Sequence, residues 1–254
     1  MTLTRRATLT GLASLPFLST PSLVLARSKF RDNDPVDFGP RGPASFPIHG
    51  IDAARFQGQM NWKQIKRQGI EFAWLKATEG GDLLDPEFKG NWRAAKRAGV
   101  PVGAYHFYYF CTDPDTQAKW FIKNVPRLRG GMPPVLDLEW NPFSPTCTLR
   151  PPAEEVRRVA TRFINIIERH YQTRVVVYTA PDFWGRNSVA RLKRDFWLRS
   201  TANHVEKRYG VRNWTFWQYT ATGVLAGVEK EIDFNCFNGG RGQWAKWRKA
   251  RAVR

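Results

Sequence analysis

The chain has 254 residues, of which 40 are Lys or Arg and 22 are Asp or Glu, so its formal net charge at pH 7 is +18. This length is enough for one barrel-sized domain and little more, and no stretch is long and charge-free enough to span a membrane. The strong positive charge favours a polyanionic partner, although a general role in solubility is also compatible with it.

Residues 1–26 have the order of a cleavable export signal. Arg5 and Arg6 precede a short apolar core, and small residues follow up to Ala26. The adjacent arginines favour the twin-arginine route, although an ordinary secretory signal also fits. We therefore expect an exported protein, periplasmic or secreted, whose mature chain begins near Arg27. Nucleic acid, an acidic membrane and an anionic cell-wall polymer all fit the positive charge, and export argues against the first.

After the signal, the pattern changes from a polar arm to alternating strands and helices. Residues 27–45 are polar and rich in Pro and Gly, which predicts an N-terminal arm. From Phe46 onward, short apolar runs alternate with helical stretches, as in β-α-β units with a parallel sheet. The predicted strands are 48–53, 71–76, 101–108, 133–139, 174–179, 195–199, 213–219 and 230–235. The predicted helices are 62–68, 86–98, 114–124 and 152–171.

Eight strands favour a closed α/β barrel over residues 46–239, with the active site at the carboxyl ends of its strands. The barrel is expected to be irregular in its second half, where the links between strands are short or weakly helical. An open doubly wound sheet is the alternative, but no Gly-rich phosphate loop supports it. Residues 240–254 are predicted as a basic tail, which either clamps an anionic polymer or is simply solvated.

Three cysteines in an exported chain allow one disulfide and leave one thiol. Spacing alone does not fix the pairing. We predict a bridge between Cys111 and Cys147, because both fall in loops just beyond neighbouring strands on the same rim. Cys236 lies inside an apolar strand pattern, so it is predicted to be a buried, inert thiol.

The strongest chemical signal is the acid pair in the segment PVLDLEW. On a strand, Val135, Asp137 and Glu139 share one face, while Leu136 and Leu138 share the other. Because a strand rises about 3.3 Å per residue, the backbones of the two acids lie about 6.6 Å apart. Two like charges buried together raise the pKa of at least one, as glycoside hydrolysis requires. A pair of acids that only binds loop atoms is the structural alternative.

Two further acids are expected on the same rim. Asp52 closes the first predicted strand and Asp233 lies in the last, and these strands are neighbours in a closed barrel. Four carboxylates on one rim are too costly to assemble for stability alone. Either aspartate taken singly is equally compatible with a helix cap or a turn.

Aromatic, amide and basic side chains at strand ends are the candidate sugar-binding groups, since sugars stack on aromatic faces. Core or lid packing is the alternative for each aromatic, and a surface position is the alternative for the lysine. The predicted binding residues are Tyr105, Tyr178, Gln218, Lys76 and Trp140. The four histidines show no metal-ligand spacing and no Gly-x-Ser-x-Gly elbow is present, so we expect neither a metal nor a cofactor.

Taken together and in order, these segments resemble the family 25 glycoside hydrolases, which are lysozymes. The resemblance covers residues 47–239 and is carried by GIDAARFQG, FAWLKATEG, GAYHFYYF, PVLDLEW, VVVYT and WQYTATGVLAGVEKEIDFNCFNG. It implies an irregular barrel of five β/α units followed by three strands. It also implies hydrolysis of the β-1,4 bond between N-acetylmuramic acid and N-acetylglucosamine in peptidoglycan. Separately, we expect the protein to be a monomer.

The resemblance also implies roles for individual residues. Glu139 corresponds to the catalytic acid and Asp137 to its partner, which orients the substrate N-acetyl group or stabilises positive charge. Asp52 and Asp233 match the two outer acids, and the positions that line the sugar groove are Tyr105, Tyr178 and Gln218. We expect the acetamido oxygen to assist the reaction, because acids two positions apart on one strand lie on the same side of the bond. The Ala53-Ala54 pair departs from the family, which usually has β-branched or hydroxyl residues there.

Two other functions are compatible with the sequence. A non-catalytic wall-binding barrel would keep the groove and hold anionic glycan on its basic surface. A chitinase-like glycosidase also has an Asp and a Glu two residues apart on a strand, but PPVLDLE has only the last two acids of the longer alternating run in those enzymes.

Overall fold

The computed structural model describes residues 29–142, 144 and 146–254. The predicted export signal, residues 1–26, lies outside these ranges. The strands are β1 (Arg31–Asp32), β2 (His49–Ala53), β3 (Phe72–Glu79), β4 (Leu83–Leu84), β5 (Val102–Phe107), β6 (Val135–Leu138), β7 (Val176–Thr179), β8 (Asp195–Arg199), β9 (Phe216–Val224) and β10 (Ile232–Phe237). The helices are α1 (Trp62–Arg67), α2 (Phe88–Arg97), α3 (Pro114–Asn124), α4 (Ala153–Tyr171), α5 (Pro181–Asn187), α6 (Val205–Tyr209) and α7 (Arg241–Arg251).

Eight of these strands close into a barrel, in the order β2-β3-β5-β6-β7-β8-β9-β10 and back to β2. The first seven run parallel, and β10 is antiparallel to both of its neighbours. A helix follows each of the first five barrel strands, whereas only the five-residue α6 lies among the last three. The predicted irregular barrel of five β/α units and three further strands is therefore confirmed.

Side chains of the barrel strands alternate between a filled interior and an outer layer beneath the helices. Val135 packs inside with Trp74 and Trp197, whose rings stack at 4.9 Å, while Leu136 and Leu138 join the outer core. This is the alternation that a pleated strand imposes. The side chains of odd-numbered residues in β6 therefore point into the barrel, and the acid pair lies on this interior face.

A glycine makes room for the largest interior side chain. A Cβ added at Gly103 of β5 would lie 2.5 Å from Nε1 of Trp74 and 2.9 Å from Cβ of Met132. The indole lies against bare backbone there, and its Nε1 donates a hydrogen bond to the carbonyl of Pro133 at 3.1 Å. A tryptophan can therefore fill the barrel beneath the cleft only because residue 103 lacks a side chain.

The segment predicted as a basic tail, 240–254, forms helix α7 against the barrel. Trp244 lies 5.3 Å from the ring of Phe72, and Trp247 lies 4.9 Å from the ring of Phe216. Arg251 forms an ion pair with Asp195 at 2.6 Å. The helix covers the amino-terminal end of the parallel strands, opposite the end where the acids lie.

The described part of the predicted N-terminal arm also packs on the barrel. Phe30 stacks on Phe234 at 4.5 Å, and β1 pairs with β9. Local composition did not predict this strand, because its pairing partner is almost two hundred residues away along the chain. Within the described ranges, no helix is long and apolar enough to cross a membrane.

The predicted disulfide between Cys111 and Cys147 is confirmed, with a Cα–Cα distance of 5.7 Å. It joins the loops that follow the neighbouring strands β5 and β6. Cys236 is a buried free thiol in β10, as predicted.

Candidate active site

A cleft of about 310 Å³ opens at the carboxyl ends of the parallel strands. This is the end of a β/α barrel where loops and strand ends bring polar groups together. The cleft is lined by Asp52, Ala53, Ala54, Phe56, Gln57, Lys76, Tyr105, Phe107, Asp137, Glu139, Tyr178, Trp197, Arg199, Gln218, Ala221 and Asp233. Of the nine residues predicted for the site, the structure brings eight together here.

The four predicted acids come from two opposite sides of the barrel. Asp137 lies on β6 and Glu139 directly follows that strand. Asp52 on β2 and Asp233 on β10 are direct partners in an antiparallel register. Because β10 runs opposite to the other barrel strands, an aspartate near its start reaches the same rim as an aspartate near the end of β2.

Asp52 is held by side-chain amides. Gln218 Nε2 donates to its two carboxylate oxygens at 3.0 and 3.1 Å, and Asn235 Nδ2 donates to Oδ1 at 2.7 Å. Tyr178 donates its hydroxyl to Gln218 Oε1 at 2.9 Å, which fixes the orientation of that amide. Burial raises the pKa of Asp52 to about 6, while hydrogen bonds from Asn235, Gln218 and Asp233 oppose the rise.

Asp233 lies beside Asp52 and is the acid of this pair whose pKa is raised further by the other's charge. Burial and the charge of Asp52 raise the pKa of Asp233 well above its ordinary value. A hydrogen bond between the two carboxyl groups favours a proton on Asp233 and a charge on Asp52. Of the two outer acids, Asp233 therefore holds its proton more tightly than Asp52 does.

Asp137 and Glu139 form a second coupled pair. Burial raises the pKa of Glu139 to about 7, with the charge of Arg199 lowering it and that of Asp182 raising it. Burial and the charge of Glu139 raise the pKa of Asp137 well above its ordinary value. Asp137 Oδ1 is buried and has no hydrogen-bond partner among the described residues. The pair therefore retains a proton at mildly acidic pH and has one acceptor atom unused.

Lys76, one of the predicted binding residues, lies at the cleft wall. It forms an ion pair with Glu79, which also accepts a hydrogen bond from the hydroxyl of Tyr109. Its ammonium group lies 4.9 Å from the ring centre of Phe107. The charge of Lys76 is thus neutralised within the protein.

Aromatic side chains form the floor and one lip of the cleft. Tyr178 and Tyr105 pack edge-on against Trp197, with ring centres 4.6 and 6.5 Å away. Phe56 projects from the loop after β2 with 61% of its surface exposed. Trp197 and Phe56 were missed by sequence reasoning. Trp197 is the middle residue of β8, where no strand-end signal pointed to it, and Phe56 lies within the GIDAARFQG string.

Trp140, the ninth predicted residue, is not among the residues that line this cleft. Its ring packs against Phe183 at 4.5 Å and Phe110 at 5.2 Å, beneath the guanidinium of Arg150. The physical reason is alternation, since Trp140 directly follows Glu139 and turns to the opposite face. Trp140 supports the outer wall behind the acid pair.

Across the described ranges, no cluster of three or more His, Cys, Asp or Glu side chains is arranged to hold a metal ion. The four acids of the cleft come as two separate pairs. Each pair is organised around protons and hydrogen-bond donors, which suits acid–base chemistry on a neutral bond.

Comparison with known proteins places this cleft in context. Residues 51–228 match the family described as Glycosyl hydrolases family 25. Lysozyme M1 of Streptomyces globisporus is 36% identical over 215 residues, which are 78% of this chain and 70% of that protein.

Solved structures agree in fold. A family 25 glycosyl hydrolase from Bacillus anthracis superposes with a TM-score of 0.71 at 35% identity, covering 80% of this chain and 94% of that one. A bacterial lysozyme from Streptomyces coelicolor superposes with a TM-score of 0.68 at 32% identity, covering 77% and 94%. Sequence, fold and the arrangement of the four acids lead to one conclusion: the chain belongs to glycosyl hydrolases family 25.

Proposed function

We propose that this protein is a lysozyme that hydrolyses the β-1,4 bond between N-acetylmuramic acid and N-acetylglucosamine in peptidoglycan. The observation that carries the proposal is the pairing of Asp137 and Glu139 in one cleft, with the pKa of Glu139 raised to about 7. A carboxylic acid that keeps its proton near neutral pH can protonate a leaving oxygen. Membership of the family and the similarity to a named lysozyme support this substrate.

In the first step, Glu139 is the general acid and Asp137 is its partner. The substrate acetamido oxygen forms a bond to C1 as the glycosidic C1–O bond breaks, and the proton of Glu139 passes to the leaving oxygen. The oxazolinium ion that results carries an N–H. Asp137 Oδ1, buried without a partner among the described residues, is the atom that accepts this N–H. This hydrogen bond favours the charged form of Asp137 once substrate is bound.

In the second step, water completes the hydrolysis. Glu139, now ionised, accepts a proton from the water as its oxygen attacks C1, and the bond from C1 to the acetamido oxygen breaks. The configuration at C1 is therefore retained. Asp52, across the cleft, is less suited to activate water because Gln218 and Asn235 already occupy its oxygens. NMR of the first-formed sugar should give the β-anomer; an α-anomer would point instead to direct attack by water.

A zymogram on peptidoglycan with wild type, Glu139→Gln and Glu229→Gln tests the proposal. Glu139→Gln keeps the shape of the side chain but has no acidic proton for the leaving oxygen, so clearing should disappear. Glu229 is exposed and outside the cleft, so its variant should clear like wild type. Equal clearing by all three proteins would overturn the role of Glu139. Retained binding with no reducing ends released by wild type would identify a non-catalytic wall-binding barrel.

Export is the second part of the proposal. The order of residues 1–26 and the Cys111–Cys147 disulfide both suit a protein that folds or works outside the reducing cytoplasm. We also propose that it acts as a monomer. Cell fractionation with N-terminal sequencing tests the export, and size-exclusion chromatography with light scattering tests the oligomeric state.

A further inference from the structure

Arg199 is one of two cations among the residues that line the cleft. It ends strand β8 and lines the cleft. Lys76, the other cation in the lining, is paired with Glu79. The guanidinium of Arg199 makes no hydrogen bond or ion pair with any residue in 29–142, 144 or 146–254. Five N–H donors thus remain available in a partly enclosed site.

The backbone that carries this side chain is firmly held. The carbonyl oxygen of Arg199 accepts a hydrogen bond from the hydroxyl of Tyr209, with 2.8 Å between the two oxygens. The next residue, Ser200, donates its N–H to the carbonyl of Gln218 at 2.9 Å and accepts from Trp217 Nε1 at 2.8 Å. A rigid strand end therefore presents a guanidinium into the cleft, which reduces the entropy lost when a ligand binds.

The position of Arg199 places it beside the reacting pair. Strand β7 alone separates β8 from β6, which carries Asp137. The charge of Arg199 acts on Glu139, Asp52 and Asp233 through space without a direct contact. The guanidinium is half-buried and has no acceptor among the described residues. An anionic group on the substrate would supply that acceptor.

We infer that Arg199 binds a carboxylate on the muramic acid side of the substrate and makes the enzyme specific for muramoyl glycans. The inference rests on the proposed function and deepens it. Muramic acid differs from glucosamine by an O-lactyl group, which ends in a free carboxylate on peptide-free strands and carries the stem peptide elsewhere. The free lactyl group and the stem peptide both present a carboxylate, and a guanidinium binds a carboxylate through two parallel hydrogen bonds.

A purely electrostatic role for Arg199 makes a different prediction. A positive charge near Glu139 lowers the pKa of that acid, so its removal would shift the pH profile for every substrate alike. Direct binding of a carboxylate instead produces a loss that depends on whether the substrate carries one. Substrate dependence therefore separates the two roles.

The experiment compares wild type, Arg199→Gln, Arg199→Lys and the control Arg212→Gln, an exposed arginine outside the cleft. The substrates are peptide-free glycan strands, the same strands with their lactyl carboxyls converted to methylamides, and intact peptidoglycan. Arg199→Gln should lose about 10- to 100-fold in kcat/KM on peptide-free strands, the range for a hydrogen bond to a charged group. The loss should appear mainly in KM. It should be absent on the methylamide, and Arg199→Lys should recover part of it.

The source of the carboxylate follows from the substrate that shows the loss. A loss on peptide-free strands identifies the lactyl group, and a loss confined to intact peptidoglycan identifies the stem peptide. An equal loss on all three substrates, or none on any, overturns the inference. Cleavage of none of them by wild type would instead count against the proposed function. Thermal unfolding of each variant excludes a folding defect as the cause.

Discussion

Replacing Glu139 by Gln should make the protein more stable at high pH while abolishing its activity. Burial raises the pKa of Glu139 from 4.5 to about 7 in the folded protein. The folded state therefore binds this proton more tightly than the unfolded chain does, and ionisation of Glu139 destabilises the fold. Glutamine has a similar shape and does not ionise, so it is free of this effect.

The size of the effect depends on pH in a defined direction. Below the unfolded pKa of 4.5 the residue is protonated in both states, so wild type and variant should be equally stable. Between pH 4.5 and about pH 7 the destabilisation of wild type grows, and above about pH 7 it reaches its full size. Because a tenfold difference in proton affinity between the two states corresponds to about 1.36 kcal/mol, the variant should gain about 3 kcal/mol in the free energy of unfolding.

Urea denaturation followed by tryptophan fluorescence measures this difference at about pH 4 and about pH 8. Glu229→Gln, which removes an exposed acid, is the matched control and should stay within about 0.5 kcal/mol of wild type at both values. Two results would refute the argument that Glu139 is buried with a raised pKa. One is a gain for Glu139→Gln that is the same at both pH values, and the other is a wild type that is more stable than Glu139→Gln at the higher pH.

Three further measurements test the same geometry. The rate on peptidoglycan should fall as pH rises through about 7, because Glu139 must carry a proton. The charge of Asp182 raises the pKa of Glu139, so Asp182→Asn should move that fall to lower pH. A pH–rate profile unaffected by the variant would contradict this. Serine at both Cys111 and Cys147 should lower the free energy of unfolding by about 4 kcal/mol, since the bridge closes a loop of 36 residues. Wild type should lose the same stability when it is denatured under reducing conditions, and an unchanged free energy of unfolding there would contradict the prediction. Gly103→Ala should cost about 1–3 kcal/mol through overpacking of the barrel interior, and an unchanged melting temperature would show that the indole has room to move.

Much of the fold was predictable because its signals are local. The alternation of apolar runs and helical stretches predicted all eight barrel strands, and strand β8 was predicted with its bounds. The partnership of Asp52 with Asp233 followed from closure, since the first and last strands of a closed barrel must meet. Trp140 lies outside the cleft lining because it follows Glu139 and turns to the opposite face, and alternation had been applied only to the acids.

Other features depend on contacts that no local pattern encodes. The pairing of β1 with β9 and the docking of Trp244 beneath the barrel join segments far apart in sequence. Arg199 had the same signal as Lys76, a basic residue ending a strand, but only the structure distinguishes them. One charge is paired with Glu79, while the other has no partner among the described residues.

The most direct test of the proposed function is mass spectrometry of peptidoglycan digested by wild type and by Glu139→Gln, with the reducing ends labelled by borohydride. Wild type should release muropeptides whose reduced sugar is N-acetylmuramic acid, and the variant should release none. Products ending in reduced N-acetylglucosamine, or equal products from both proteins, would contradict the assignment of Glu139 as the acid of a muramidase.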